Sequence, residues 1–176
     1  PPAIGSMDGG IISGGPGGVY DKDAPSFDRM ILESNTPVLG ICYGHQLIAH
    51  ALGGKVLPGD SREYGRKIIN VKGGKLLKGL KSKEQVWFSH GDVVLKTPPG
   101  FIDTARSGDY IVGYENDHIF GVQFHPEVAH TLHGGKVLTN FINICKEDRK
   151  WRAKNRLLAL VGEIKQTVGD KSVLIG

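Results

Sequence analysis

Apolar residues along the chain fall into two regimes. Val38-Leu39-Gly40-Ile41 is a short apolar run, as a buried strand requires, and Leu47, Ile48, Ala51 and Leu52 follow at helical spacing. Gly53-Gly54 supplies the stop for that helix. Upstream, Gly9-Gly10-Ile11-Ile12 predicts a short strand that enters a glycine-dense loop, residues 13–18. A helix is expected over 26–34, with Phe27, Met30 and Ile31 on one face, broken by Asn35-Thr36-Pro37. Strand, loop, helix, strand, helix is the rhythm of an α/β domain: a mainly parallel open sheet flanked by helices.

Beyond residue 54 the pattern changes. Short β-rich runs at 67–71, 86–90, 93–95, 102–105, 111–115 and 119–124 are separated by turns such as Pro98-Pro99-Gly100 and Glu115-Asn116-Asp117-His118. They predict antiparallel strands added to the parallel core, with His118 solvated in its turn. Val137, Leu138, Phe141, Ile142 and Cys145 repeat at helical spacing, so a helix is expected over 135–145 with Cys145 as an inert core thiol. A basic cluster over 149–156 leads into the apolar stripe of a further helix, Leu157, Val161, Ile164 and Val168. Its sharper reading is a linker helix that docks on a neighbouring domain. Gly169-Asp170 ends it, and residues 171–176 read as the start of another strand.

With 176 residues the chain is long enough for one proper core, and 39% apolar with 23% charged residues is ordinary globular composition. The net charge of +4 is too modest and too local to argue for nucleic acid. No apolar run is long enough to span a bilayer, and no secretory signal is present, so no membrane partner is expected and a cytoplasmic location is the default. Cys42 and Cys145 lie far apart in different kinds of segment, which favours free thiols over a disulfide. The first Met is Met7, and the chain closes on an apolar strand pattern, so a piece of a longer protein is expected.

Candidate chemistry sits between the strand and helix around residue 42. Gly40-Ile41-Cys42-Tyr43-Gly44 is a G-x-C-x-G, the thiol form of the strand–turn–helix elbow. Such a bend is expected to lift the Cys42 sulfur into the open at a helix N-terminus, whose partial positive charge favours thiolate. Far downstream, His125-Pro126-Glu127 places an imidazole and a carboxylate two residues apart, on one side of an extended chain. The 13–18 loop presents backbone N–H groups suited to an oxyanion and lacks the Lys-Ser/Thr ending of a phosphate-binding loop. Together these are a nucleophile, a base, an orienting group and electrophilic stabilisation. His125, Glu127, His130 and His133 cluster in sequence, but their spacing fits no familiar zinc pattern, and no metal is expected.

GICYGHQ, SHGD and FGVQFHPE together resemble the class I, or triad, glutamine amidotransferases over essentially all of the chain up to Cys145. Arg62-Glu63-Tyr64-Gly65, Val86-Trp87-Phe88-Ser89-His90-Gly91-Asp92 and His125-Pro126-Glu127-Val128 are most similar to the amidotransferase domains of glutamine-hydrolysing GMP synthetases. The resemblance implies an amidotransferase domain over 1–147, lacking the family's first strand and helix. It also implies a linker helix with the first strand of an ATP pyrophosphatase domain over 148–176. By the same resemblance Cys42 attacks the glutamine carboxamide, His125 shuttles the proton and Glu127 holds the imidazole. Gly15 and Tyr43 would form the oxyanion hole, and Gly14, Gly17, Gln46, Ser89, His90 and Asp92 would bind substrate, Asp92 facing the α-ammonium. No cofactor is implied in this part. ATP and Mg are expected for the synthetase domain, which is also the implied partner for aminating XMP to GMP and the implied route to a homodimer. A cysteine hydrolase of another γ-glutamyl substrate, or an inactive regulatory module, are the alternatives the residues leave open.

Overall fold

Two four-residue apolar runs, Val38–Ile41 and Ile119–Val122, are buried at every position, as strands covered on both faces must be. The computed structural model describes residues 7–15, 17–21, 24, 27–145 and 153–169. In chain order the elements are β1 (Gly10–Ile12), α1 (Met30–Glu33), β2 (Val38–Ile41), α2 (Tyr43–Ala51), β3 (Lys55–Val71) and β4 (Lys83–Lys96). Then come β5 (Ile102–Ser107), β6 (Tyr110–Glu115), β7 (Ile119–Val122), α3 (Gly134–Ile144) and α4 (Ala153–Val168). The described strands form one seven-stranded sheet in the order β1-β2-β7-β6-β4-β3-β5. β1, β2 and β7 are parallel, and the rest pair antiparallel, with β5 also bonded to β6.

Side-chain alternation along the central strands sorts the core onto two faces. Leu39, Ile41, Phe120 and Val122 pack with Val137 and Phe141 of α3. Val38 and Ile119 pack with Ile48 and Ala49 of α2. Leu39, Val38, Ile48, Phe120 and Val122 are wholly inaccessible, and each such burial contributes about 1.5–3 kcal/mol.

Several expectations change in detail. The helix foreseen over 26–34 is a single turn, because the Asp28 carboxylate accepts the Met30 N–H at 3.0 Å and holds the preceding chain in a local turn. The runs at 67–71, 86–90 and 93–95 are parts of one long ribbon made by β3 and β4. Pro58, which has no N–H to donate, sits at a register shift between Pro58 and Glu63; this interruption hid the first half of β3. SHGD consequently lies within β4 rather than in a turn. His118 is half-buried, with Nε2 at 3.4 Å from the Leu32 carbonyl, rather than solvated. Cys42 and Cys145 are both free thiols. Cys145 is half-buried at the edge of the core under α3.

The chain divides into two compact units, Pro1–Lys146 and Glu147–Gly176. Among described residues the second holds α4, on which Val161 and Ile164 are exposed. The basic positions 149–152 and the strand expected at 171–176 lie outside the described residues. No described helix is long and apolar enough to cross a membrane.

Two glycines let α2 approach the sheet. A Cβ on Gly40 would lie 2.6 Å from the Gly44 carbonyl oxygen, and one on Gly44 would overlap the Ile12 carbonyl. Gly44→Ala is therefore expected to destabilise the fold by about 1–3 kcal/mol or more in urea titrations. Gly135→Ala, with open space around its Cβ at the start of α3, is expected to be neutral or stabilising.

Candidate active site

The elbow is built by the chain's own sterics. Cys42 follows β2 and caps α2 with φ 54° and ψ −107°, the single positive φ at a described non-glycine residue. Such a conformation costs about 1–3 kcal/mol and persists only where the surroundings enforce it. They do so here: the Cys42 N–H bonds the Val122 carbonyl of β7 at 2.9 Å, and its carbonyl accepts the Gln46 N–H at 3.2 Å.

The sulfur is not in the open. Cys42 is 5% exposed, and its thiol donates to the Ser89 carbonyl of β4 at 3.4 Å. Burial pushes the thiol pKa up to about 11. The N–H of Tyr43 at the helix start and the Gln123 amide oppose that rise, and the Glu127 carboxylate adds to it. The helix terminus thus does act as expected, but desolvation outweighs it.

His125 and Glu127 do share one side. Nδ1 of His125 lies 2.7 Å from Glu127 Oε1, in a turn following β7 rather than in extended strand. With Nδ1–H given to the carboxylate, Nε2 carries the lone pair. That atom is buried and has no protein partner. The His125 backbone is tied to the strand that the thiol faces: its main-chain N–H donates to the Trp87 carbonyl at 3.1 Å, two residues from Ser89. Thr131, which sequence reasoning passed over, completes the anchor by donating to the His125 carbonyl at 2.6 Å and accepting the Trp87 N–H at 3.1 Å.

Gly14 brings the pieces together. The position a Cβ would take on it lies 3.5 Å from His125 Cε1 and 3.8 Å from Cys42 Cβ. Gly15 packs on the Tyr43 ring, and Gly17, at φ 90°, turns the loop beside Asp21. Asp92 is half-buried, and its Oδ2 has no partner. Burial raises its pKa, Asp21 adds to the rise, and a bond from the Val19 N–H counters it.

The side chains of Gln46 and of His90, the latter expected to contribute mainly through its backbone, bond within the protein. Gln46 is buried, and its Nε2 donates to the Asp92 carbonyl at 2.7 Å and to Gln123 Oε1 at 3.1 Å. His90 is buried with Nδ1 at 3.0 Å from the Asp92 carbonyl and Nε2 at 3.5 Å from Glu63, and burial lowers its pKa. Gln123 went unnoticed, although a polar residue between Val122 and Phe124 in an apolar run was a usable signal. Of the four residues weighed for a metal, His133 pairs with Glu84 at 2.7 Å and His130 packs on Trp87. No group of metal-ligating side chains forms among the described residues.

An α/β sheet with a strained elbow cysteine, and a His–carboxylate pair anchored to β4, defines a cysteine-hydrolase-like site. Comparison with known proteins makes this specific. The glutamine amidotransferase class-I family model matches residues 3–145, and the chain belongs to that family. It is 44% identical to the glutamine-hydrolysing GMP synthase of Thermosipho melanesiensis over 170 residues, which cover 94% of this chain and 33% of that protein. It is 46% identical to that of Corynebacterium glutamicum over 164 residues, covering 91% and 31%. Among solved structures it resembles a candidate GMP synthase component from Thermoplasma acidophilum, with a TM-score of 0.72, 30% identity, and 93% and 78% of the two chains covered. The chain thus spans about a third of the length of the curated relatives it matches.

Buried His45 is one source of acid sensitivity. It stacks on Tyr114 at 4.5 Å, and burial lowers its pKa to about 3. An unfolded chain binds that proton near pH 6.5 and the folded chain does not, so stability falls as pH drops from about 6.5 towards 3, by about 1.4 kcal/mol per pH unit. Urea titrations between pH 7 and 5.5 are expected to show this slope in the native protein and a shallower one in His45→Phe.

Proposed function

We propose that this chain is the glutaminase part of a glutamine-hydrolysing GMP synthetase. The supporting observation is the buried, partner-free Nε2 of a His125 whose Nδ1 is held by Glu127, brought by Gly14 to the same spot as the elbow cysteine. The names of the relatives support the substrate and the pathway.

In this reading glutamine enters with its α-ammonium on the unpartnered Oδ2 of Asp92 and its carboxamide over Cys42. The thiol turns from the Ser89 carbonyl to His125 and gives its proton to Nε2. The thiolate then attacks the carboxamide carbon, and the N–H groups of Gly15 and Tyr43 receive the oxyanion; one such donor is worth about 3–4 kcal/mol. His125 returns the proton to the leaving nitrogen, which departs as ammonia and leaves a glutamyl thioester on Cys42. Water, deprotonated by His125, cleaves the thioester to glutamate and restores the thiol. Glu127 keeps Nδ1 protonated throughout. Gln46, His90 and Gly17 serve this site as supports rather than as direct ligands. The released ammonia would reach an ATP- and Mg-dependent synthetase part that aminates XMP, and assembly as a homodimer would run through that part.

Full-length protein given glutamine is expected to release glutamate and ammonia. Cys42→Ala should lose this activity, and Glu127→Gln should lower it about a hundredfold or more. Undiminished glutamate release by folded Cys42→Ala protein would overturn the reading.

A further inference from the structure

The cysteine has a side-chain neighbour that the triad does not account for. Gln123 follows β7, is 1% exposed, and donates its Nε2 to Cys42 Sγ at 3.8 Å. An amide placed there could present either end to the sulfur, since nitrogen and oxygen have nearly the same shape. The surrounding hydrogen bonds decide which. The Asp92 carbonyl is an acceptor only, so the Gln46 end at 2.7 Å from it must be the NH2. That same NH2 lies 3.1 Å from the near atom of the Gln123 amide, which must therefore be the oxygen. Gln123 is left with its NH2 towards the sulfur. A backbone carbonyl of β4 thus sets, through two buried amides, the polarity met by the sulfur at the start of α2.

We propose that Gln123 is a thiolate-stabilising residue of this site, and that Gln46 is the positioning residue that fixes its amide orientation. The proposal rests on the glutaminase reading for its purpose, but the interaction itself concerns the sulfur alone. In the resting state the S–H proton goes to the Ser89 carbonyl and a sulfur lone pair faces Gln123. When the proton moves to His125 Nε2, negative charge develops on a buried sulfur with little water to receive it. The Gln123 N–H is then a charge-assisted donor already in place, and such bonds gain most where solvent is excluded. The orientation lock matters because a flipped amide would set its oxygen against the thiolate and oppose the step.

The test is the pH dependence of Cys42 alkylation by iodoacetamide in the full-length protein, read at the Cys42 peptide by mass spectrometry. Gln123→Met removes the donor without adding charge, and Gln123→Glu keeps an acceptor for Gln46 but replaces the donor with a carboxylate whose own charge also opposes the thiolate. In both, the alkylation profile is expected to move to higher pH by about one unit or more, lowering the rate at a fixed pH below the thiol pKa about tenfold. Gln46→Glu, which frees Gln123 to flip, should move it the same way by a smaller amount. In glutaminase assays the Gln123 variants are expected to lose kcat with little change in KM. Circular dichroism and thermal melts report folding; if Gln123→Met does not fold, Gln123→Glu carries the test. A profile in folded Gln123→Glu that superimposes on the native one overturns the proposal. Loss of glutaminase in Cys42→Ala alongside that result would leave the glutaminase reading intact, so the two fail separately.

Discussion

The closeness of α2 to β1 and β2 is the constraint from which the rest of the site follows. Gly40 and Gly44 remove the side chains that would hold the helix away from the sheet. The chain must therefore turn within one residue, and Cys42 takes the left-handed backbone that the turn demands. Its strain is held by bonds to Val122 on one side and Gln46 on the other. A looser approach would relieve the strain and let the sulfur wander. As it stands, the fold's own packing fixes the sulfur between β4, β7 and the glycine loop.

β4 is the second organising element. Its Trp87 carbonyl holds the His125 backbone, its Ser89 carbonyl receives the thiol proton, and its Asp92 carbonyl orients Gln46. Three groups of different sequence origin are thus spaced by the repeat of a single strand. The price is burial. Burial pushes the thiol pKa up and so disfavours the thiolate in the resting site. In the proposed reaction the thiol leaves the Ser89 carbonyl for His125 Nε2.

Legibility in the sequence followed the physics of each segment. The parallel core was readable because β2 and β7 are apolar at every position, although α2 buries the polar His45 and Gln46 beside Ile48 and Ala49, and Ile142 of α3 is exposed. The β3–β4 ribbon was read as fragments, because Pro58 breaks the strand pattern and the pairing shifts register between it and Glu63. Motif spacing exposed Cys42, His125 and Glu127, since an elbow and an i, i+2 pair leave local signatures. Burial of the sulfur left none: it depends on Ser89, Gln123 and the loop at Gly14, all remote in sequence. Gln46 and His90 carried the chemistry of ligands, and only tertiary packing showed them turned towards the Asp92 carbonyl.

The most direct measurement is acid quench of full-length protein during turnover of glutamine, followed by mass spectrometry of the Cys42 peptide. A γ-glutamyl adduct on that peptide, accumulating further when His125→Asn slows its hydrolysis, is the predicted result. Glutamate release at the native rate with an unmodified Cys42 peptide at every quench time would contradict the account.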